Sequence, residues 1–508
     1  MSIELTALPE WTEQQKKRGL DPLGMQNSGI QLYQTLMPGI SNVTLRMRYY
    51  GFYCWLTRLY AQRSGSTAAD DWQRWIRRGE ALFALVAAQR GNDAAFGVGG
   101  IEWATETLQA DSDPIDFRAA AGHEGRVYLA QTLGVFGGAY ATQMEEAGFL
   151  QFGDKHAFYV PTPTLGLDTA AAFEAAIGEE AAAVFAKSVE RGTVSRDALD
   201  ALASITPDAI PEGSAESKLY RDALFAQRND VRETAPRRRD TLLLVLRIAR
   251  DLGHRPSVDD LRWALFEPSG PNDALADQRL RWETYQIQDL FQLAAAGFLR
   301  WSLDLLRPHP EGLYAGELLD LCVAPFQPAF RGDTWRAHIE AVSQQHLDFK
   351  ALADVLTRLR NQEVMQAKHA IAGFELISAL DARASGRSDL EDQIAASFTF
   401  GDGFRSVASE RRFFHDRLDQ PIAIALRDFF QERILNRHAR VALQKFRAQR
   451  DYTYLFEIED GRFHWRASYA PVFTTPRLAP ALTFLTDIGL LGADGLTAAG
   501  RKVLEAAS

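Results

Sequence analysis

Arginines recur at helical spacing in one stretch near the end of this chain. Arg433, Arg437, Arg440 and Arg447, with Gln444 among them, fall within one narrow stripe, and Lys445 lies beside it. Between Phe404 and Arg450 the basic residues outnumber the acids, although the whole chain has a net charge of −10. Like charges along a helix face repel, so such a stripe costs stability unless an anion or an acidic partner compensates it. A phosphate backbone is the natural candidate, which makes these five residues the expected nucleic-acid contacts. The bland alternative is a solvated face balanced by carboxylates from elsewhere in the fold.

The same segment carries a histidine. Arg433-Ile-Leu-Asn-Arg-His438 has an Arg-x4-His spacing that resembles the motif of helical HEPN-type ribonucleases. That resemblance implies Arg433 and His438 acting on a phosphodiester. It departs from the family at Ile434, where a polar residue is usual. At about 100° per residue, His438 is also turned roughly 140° from Arg433, towards Ile434, Val441 and Ala442. The residues themselves favour a satisfied histidine at the edge of a core.

Other chemistry is sparse. There is no Walker loop, dinucleotide-binding glycine fingerprint or nucleophile elbow. The histidines form no zinc-protease motif, so neither a cofactor nor a metal is expected. Cys54 and Cys322 are far apart and read as small buried hydrophobes, not as a disulfide framework. Asp259-Asp260 and Asp389-Leu-Glu-Asp392 sit where carboxylates favour a helix start. Arg237-Arg238-Arg239 follow Pro236 and read as a solvated turn. Arg46, Arg48, Arg58 and Arg63 are interleaved with Tyr49, Tyr50, Tyr53, Trp55 and Tyr60. That pattern could stack on single-stranded nucleic acid. The aromatics, however, surround the helix, and an all-round apolar helix is usually buried.

These residues need positioning elements, and the pattern for those is helical. With 508 residues, two to four domains are expected. The fold class is mainly α: a multi-module helical protein with winged-helix-like elements and a C-terminal β-hairpin. The expected divisions are a helical region over 1–119, a winged-helix-like module over 120–189 and a linker over 190–216. A central helical domain over 217–400 follows, then the basic helix, hairpin and second winged-helix-like module over 401–508. A helix is expected from Ser41 or Asn42, either of which is a good N-cap. Three sites, at Gly148, Gly297 and Gly489, show a glycine followed by two large apolar residues, the pattern of a helix end in the left-handed conformation. After the first, residues 151–160 read as a hairpin turning at Gly153-Asp154; after the third, a shorter link leads into a last helix. Around Asp460-Gly461 the alternating apolar residues give the clearest hairpin signal. No apolar run approaches the roughly 20 residues that span a bilayer, and no signal peptide is visible, so cytosol is the expected location.

The segment Leu36-Met-Pro-Gly-Ile-Ser-Asn-Val-Thr-Leu-Arg-Met-Arg-Tyr-Tyr-Gly-Phe-Tyr-Cys-Trp-Leu56 resembles uncharacterised bacterial proteins. Asn436-Arg-His-Ala-Arg-Val-Ala-Leu-Gln-Lys-Phe446, with the hairpin after it, resembles them too. No named activity comes with this resemblance; it implies a place in anti-phage defence. The function expected from the residues is a non-enzymatic nucleic-acid-binding or scaffold subunit. Nucleic acid would bind through 404–450, and protein partners are expected. The alternatives are a HEPN-like nuclease and a pure assembly adaptor.

Overall fold

The aromatic segment forms a central helix, Arg48–Arg63, in which Tyr49, Tyr50, Phe52, Tyr53, Cys54 and Trp55 are all buried. The computed structural model describes residues 21–110, 112–121, 128–153, 158–228, 232–270, 273–398 and 405–507. They fall into two compact units, one of 21–29 with 287–473 and the other of 30–286 with 474–508. Helices dominate both, and the strands are short and antiparallel. Among the described residues no helix is long and apolar enough to cross a membrane.

In the unit of 30–286 and 474–508, the central helix packs against Ala69–Arg90, Leu165–Ile177 and Glu179–Arg191. The Phe52 and Phe83 rings lie 4.5 Å apart, and Trp55 meets Phe173 at 5.4 Å. Its arginines are buried with its rings. Arg48 forms a two-point pair with Glu216 at 2.9 and 3.1 Å and donates to the Ser204 and Thr206 carbonyls at 2.6 and 2.7 Å. The Tyr220 hydroxyl completes the cluster by donating to Glu216 at 2.8 Å. It also explains Gly51, where a Cβ would lie 1.9 Å from that hydroxyl. Arg46 pairs with Asp487 at 3.0 Å, and burial lifts the Asp487 carboxyl to about 6.

The helix begins at Arg48, not at Ser41 or Asn42. The expected capping groups are used elsewhere. Ser41 and Thr44 close a local turn, while Asn42 accepts from the Arg477 backbone and donates to the Thr475 carbonyl. Arg238 also departs from expectation. It is fully buried in the helix Ala235–Leu252 and donates to the Pro38, Ala223 and Leu224 carbonyls, so it is no part of a solvated turn. Residues 190–216, read as a linker, carry a strand, Thr193–Val194, and a helix, Arg196–Ala201, capped by Ser195. Leu199, Leu202 and Ile205 in that segment are buried.

Two elements of this unit repeat one device. The helix Ala141–Glu146 ends at Gly148 (φ 83°), and Phe149 N–H returns to the Met144 carbonyl at 2.8 Å. Strands Leu150–Phe152 and Tyr159–Pro161 then pair; Asp154 of the expected turn lies outside the described residues. Thr162 donates to the Gly148 carbonyl and accepts from Gly166 N–H, both at 2.8 Å. The helix Leu478–Asp487 runs to Gly489 (φ 73°), with Leu490 N–H on the Leu485 carbonyl at 2.8 Å. After the pairing of Leu491–Gly492 with Gly495–Leu496, Thr497 donates to the Gly489 carbonyl at 2.7 Å and accepts from Gly500 N–H at 3.1 Å. A Cβ on Gly166 would lie 2.2 Å from the Phe149 carbonyl, and one on Gly500 2.3 Å from the Leu490 carbonyl. Glycine is required there because the returning helix crosses the backbone of the hairpin.

The third expected helix end is absent. Gly297 lies within the helix Ala276–Leu306, where a Cβ would meet Leu356 at 3.1 Å. Its role is close packing, not termination.

In the unit of 21–29 and 287–473, the Phe298, Phe326, Phe374, Phe429 and Phe430 rings share a core. The hairpin Phe456–Glu459 and Arg462–Trp465 turns at Asp460 (φ 50°) and Gly461 (φ 77°), as the sequence predicts. Leu313–Tyr314 adds a third antiparallel strand beside Arg462–Trp465. Arg411 and Trp335 both donate to the buried Asp381, at 2.9 and 3.0 Å. The His415 imidazole, 3.4 Å from the same carboxylate, has its pKa raised chiefly by hydrogen bonding to it.

Removing one partner of a fully buried ion pair leaves a charge without compensation. Glu216→Gln should therefore destabilise its unit by about 3 kcal/mol or more. A urea titration that left the unfolding midpoint unchanged would refute this account of Arg48.

Candidate nucleic-acid interface

The basic segment consists of two helical stretches. A π-helical turn, Phe430–Leu435, runs into the α-helix Asn436–Gln449. A wide turn shifts the register of everything before it relative to everything after it. Of the stripe only Arg433 lies in that turn; Arg437, Arg440 and Arg447 follow it in one regular α-helix, and their partners separate them.

Each expected contact residue has its own fate. Arg437 is buried and pairs with the equally buried Glu410 at 2.5 Å, so it belongs to the interior, not to an exposed stripe. Arg433 is half-buried, its guanidinium 5.0 Å from the Phe413 ring centre. Arg417 lies on that ring too, at 3.8 Å, and pairs with Asp428 and Glu432. Lys445 is half-buried and donates to the Asp21 carbonyl at 2.7 Å; burial lowers its pKa. Gln444 accepts from Arg405 at 2.6 Å. Arg440 and Arg447 remain exposed, with no carboxylate at ion-pairing distance among the described residues.

His438 is a structural residue. Its Nδ1 lies 3.1 Å from the Pro22 carbonyl, and its Nε2 lies 2.9 Å from the Leu455 N–H. A carbonyl can only accept and an N–H can only donate, so the ring is neutral with its proton on Nδ1. Neither nitrogen is left for a phosphodiester. Burial holds the imidazole down at about 4, against the Pro22 hydrogen bond, which acts in the opposite direction. Phe456 packs edge-on to the ring at 5.1 Å.

That histidine ties the strand after the helix back onto it and so sets out a surface that helical spacing does not reveal. Arg450 ends the helix in the left-handed conformation (φ 56°), and the chain doubles back. Phe446 and Tyr452 meet edge-to-face at 6.1 Å, and Tyr452 and Tyr454 lie 5.1 Å apart. Phe446 is 46% exposed and Tyr452 40%, high values for large rings. Arg466 lies over Tyr452 at 4.4 Å, and both donate to Glu457, at 2.8 and 2.6 Å. At about 100° per residue, Arg440, Leu443, Phe446 and Arg447 span roughly 120° of the helix surface. Exposed Arg440, Arg447 and Arg450 thus flank an exposed aromatic cluster. The sequence signal for it was weak: an aromatic residue on a polar helix face, then Tyr452 and Tyr454, which alternate like strand residues but precede the strand Phe456–Glu459.

Among the described residues, no group of His, Cys, Asp or Glu side chains is arranged to hold a metal ion. No family model, curated protein or solved structure matches the chain.

His438 has a consequence for pH. Its folded pKa lies below the unfolded value of about 6.5, so its contribution is fully present above pH 6.5. It is lost as pH falls from about 6.5 towards 4, a span worth about 3 kcal/mol. His438→Gln should lack this part of the acid sensitivity. The stability gap between wild type and variant should therefore narrow on acidification, as measured by urea midpoints at pH 7.5 and 5. A constant gap would refute the neutral, doubly bonded imidazole.

Proposed function

We propose that this chain is a non-enzymatic subunit that binds single-stranded nucleic acid through Arg440, Arg447 and Arg450 and the Phe446–Tyr452–Tyr454 cluster. The observation that carries the reading is the pairing of two exposed groups: guanidiniums with no carboxylate partner among the described residues and rings turned to solvent, on an acidic chain. Arginines neutralise phosphates, and aromatic faces stack on bases of any sequence. Duplex DNA hides its base faces, so a single strand suits the patch better. Arg433 lies over the Phe413 ring, and Arg437 supports the helix from inside. The nuclease alternative draws no support from His438, both of whose nitrogens are held by backbone. The two helix–hairpin–helix elements enter the proposal as winged-helix-like modules for protein contacts. Glu146 of the first already accepts from Gly39 N–H at 2.8 Å, and its charge disfavours phosphate. An anti-phage setting, implied by the bacterial resemblance, fits a nucleic-acid ligand.

Replacing Arg440, Arg447 and Arg450 together by glutamate should abolish binding to a labelled single-stranded oligonucleotide at moderate salt while preserving helical circular dichroism. Each arginine should contribute about 0.7 to the slope of log affinity against log salt. Phe446→Ala and Tyr452→Ala should each weaken binding by about 1–3 kcal/mol without changing that slope. Co-purification with a protein partner and no salt-sensitive oligonucleotide binding would make the chain an assembly subunit instead.

A further inference from the structure

Glu80, on the helix Ala69–Arg90, is a buried carboxyl group that ties down a surface segment. Its Oε1 accepts from the Tyr53 hydroxyl at 2.8 Å and from Phe136 N–H at 2.6 Å. Its Oε2 accepts from Val135 N–H at 3.0 Å. The backbone of the segment is pressed against the group: a Cβ on Gly134 (φ 56°) would lie 2.0 Å from Oε2.

The segment runs from Tyr128 to the π-helical turn Phe136–Tyr140. Tyr128 is buried at one end, where its hydroxyl donates to the Gly99 carbonyl at 2.6 Å, and Phe136 is buried at the other. Between them the side chains of residues 129–133 and of Val135 are half-buried or exposed. Little apolar burial holds this stretch, so polar contacts to one helix do. Arg77 donates to the Leu129 carbonyl at 2.7 Å and to that of Gln131, and Gln73 donates to that of Thr132 at 2.9 Å. Glu80, one turn further along the helix, takes the other end of the stretch.

Of these fasteners Glu80 alone is an acid. The ionisable groups facing it are Arg77 from its own helix, Tyr49 and Tyr53 from the helix Arg48–Arg63, and Tyr128 from the segment. Tyr140, from the π-helical turn, lies beyond Tyr53, with ring centres 5.6 Å apart. Burial and the Glu80 charge push the Tyr49, Tyr53 and Tyr128 phenols up, so they stay neutral. Burial also pushes the Glu80 carboxyl up to about 7, against its three hydrogen bonds and the Arg77 charge. Protonated on Oε2, the acid still accepts from Tyr53 and Phe136 through Oε1, and Oε2 keeps a lone pair for Val135 N–H. The neutral form therefore keeps the contacts and removes the buried charge. The ionised form holds a carboxylate away from water, and lifting the segment returns water to it.

We propose that the Glu80 carboxyl is a pH-operated latch for residues 129–135, closed while it holds a proton and loosened when it ionises. Its folded pKa lies above the value of about 4.3 that an exposed glutamate has. The stabilisation is therefore full below about pH 4.3 and is lost as pH rises through about 7. Opening should increase by up to about tenfold per pH unit across that window and level off above it. The latch shares no residue with the nucleic-acid patch and does not depend on that reading.

Hydrogen exchange of the full chain tests this. Protection of the Val135 and Phe136 amides, corrected for the intrinsic pH dependence of exchange, should fall about tenfold or more between about pH 5.5 and 7.5. Residues 84–87 of the helix Ala69–Arg90 should keep theirs. Glu80→Gln cannot ionise, so its protection at 135 and 136 should not vary with pH. The wild-type profile decides the matter even where that variant folds poorly. Level protection in the wild type, an equal fall at residues 84–87, or an unchanged fall in Glu80→Gln would overturn the proposal.

Discussion

A buried guanidinium must have its N–H groups met by acceptors, and this requirement organises both units. The charge cannot be shed, so leaving it unpaired away from water is far costlier than leaving a neutral group unpaired. In one unit Arg48 is answered by Glu216 and two carbonyls, and Arg238 by carbonyls alone. In the other, Arg300 meets Asp304 at 2.6 Å and the Glu363 carbonyl at 2.7 Å, and Arg411 meets Asp381. Such clusters bind segments far apart in the chain, and each works only while every member is present. They favour one arrangement of the helices over near alternatives of similar apolar burial.

The same requirement sorts the arginines. Where a carboxylate or a row of carbonyls converges on a guanidinium, the residue is a fastener. Where none does, the group stays in solvent. Arg437 and Arg440 are neighbours on one helix and fall on opposite sides of this division, because Glu410 reaches only the first. A count of basic residues cannot separate them.

This is also why the sequence was legible in some places and not others. Local devices were readable. The Asp460-Gly461 hairpin needs only left-handed turn residues between alternating apolar ones, and Asp259 and Asp260 stand in the first turn of a helix, Val258–Phe266. The aromatic segment around Phe52 had too many rings to be a surface. What could not be read depended on distant partners or on register. Gly297 looks like a helix end until Leu356 is seen packed on it, and Arg238 looks solvated until the carbonyls of Pro38 and Ala223 appear. The arginine stripe looked continuous because neither the pairing of Arg437 with Glu410 nor the π-turn that holds Arg433 is legible from spacing. The exposed rings at 446–454 needed the chain reversal at Arg450, a left-handed non-glycine residue that propensity alone would not select.

His438 connects the interior to the surface patch. An imidazole held neutral inside a core sacrifices acid tolerance, and an apolar residue of similar size would avoid that loss. The histidine does what such a residue could not: one ring bonds two backbone segments, at Pro22 and Leu455, from a single helical position. Fixing Leu455 fixes the approach of Tyr452 and Tyr454 to Phe446, so the rings are arranged before any ligand arrives. A preformed aromatic surface spends less of its contact energy on ordering side chains, which leaves more for affinity. The residue that resembles a catalytic histidine therefore acts by holding other groups still.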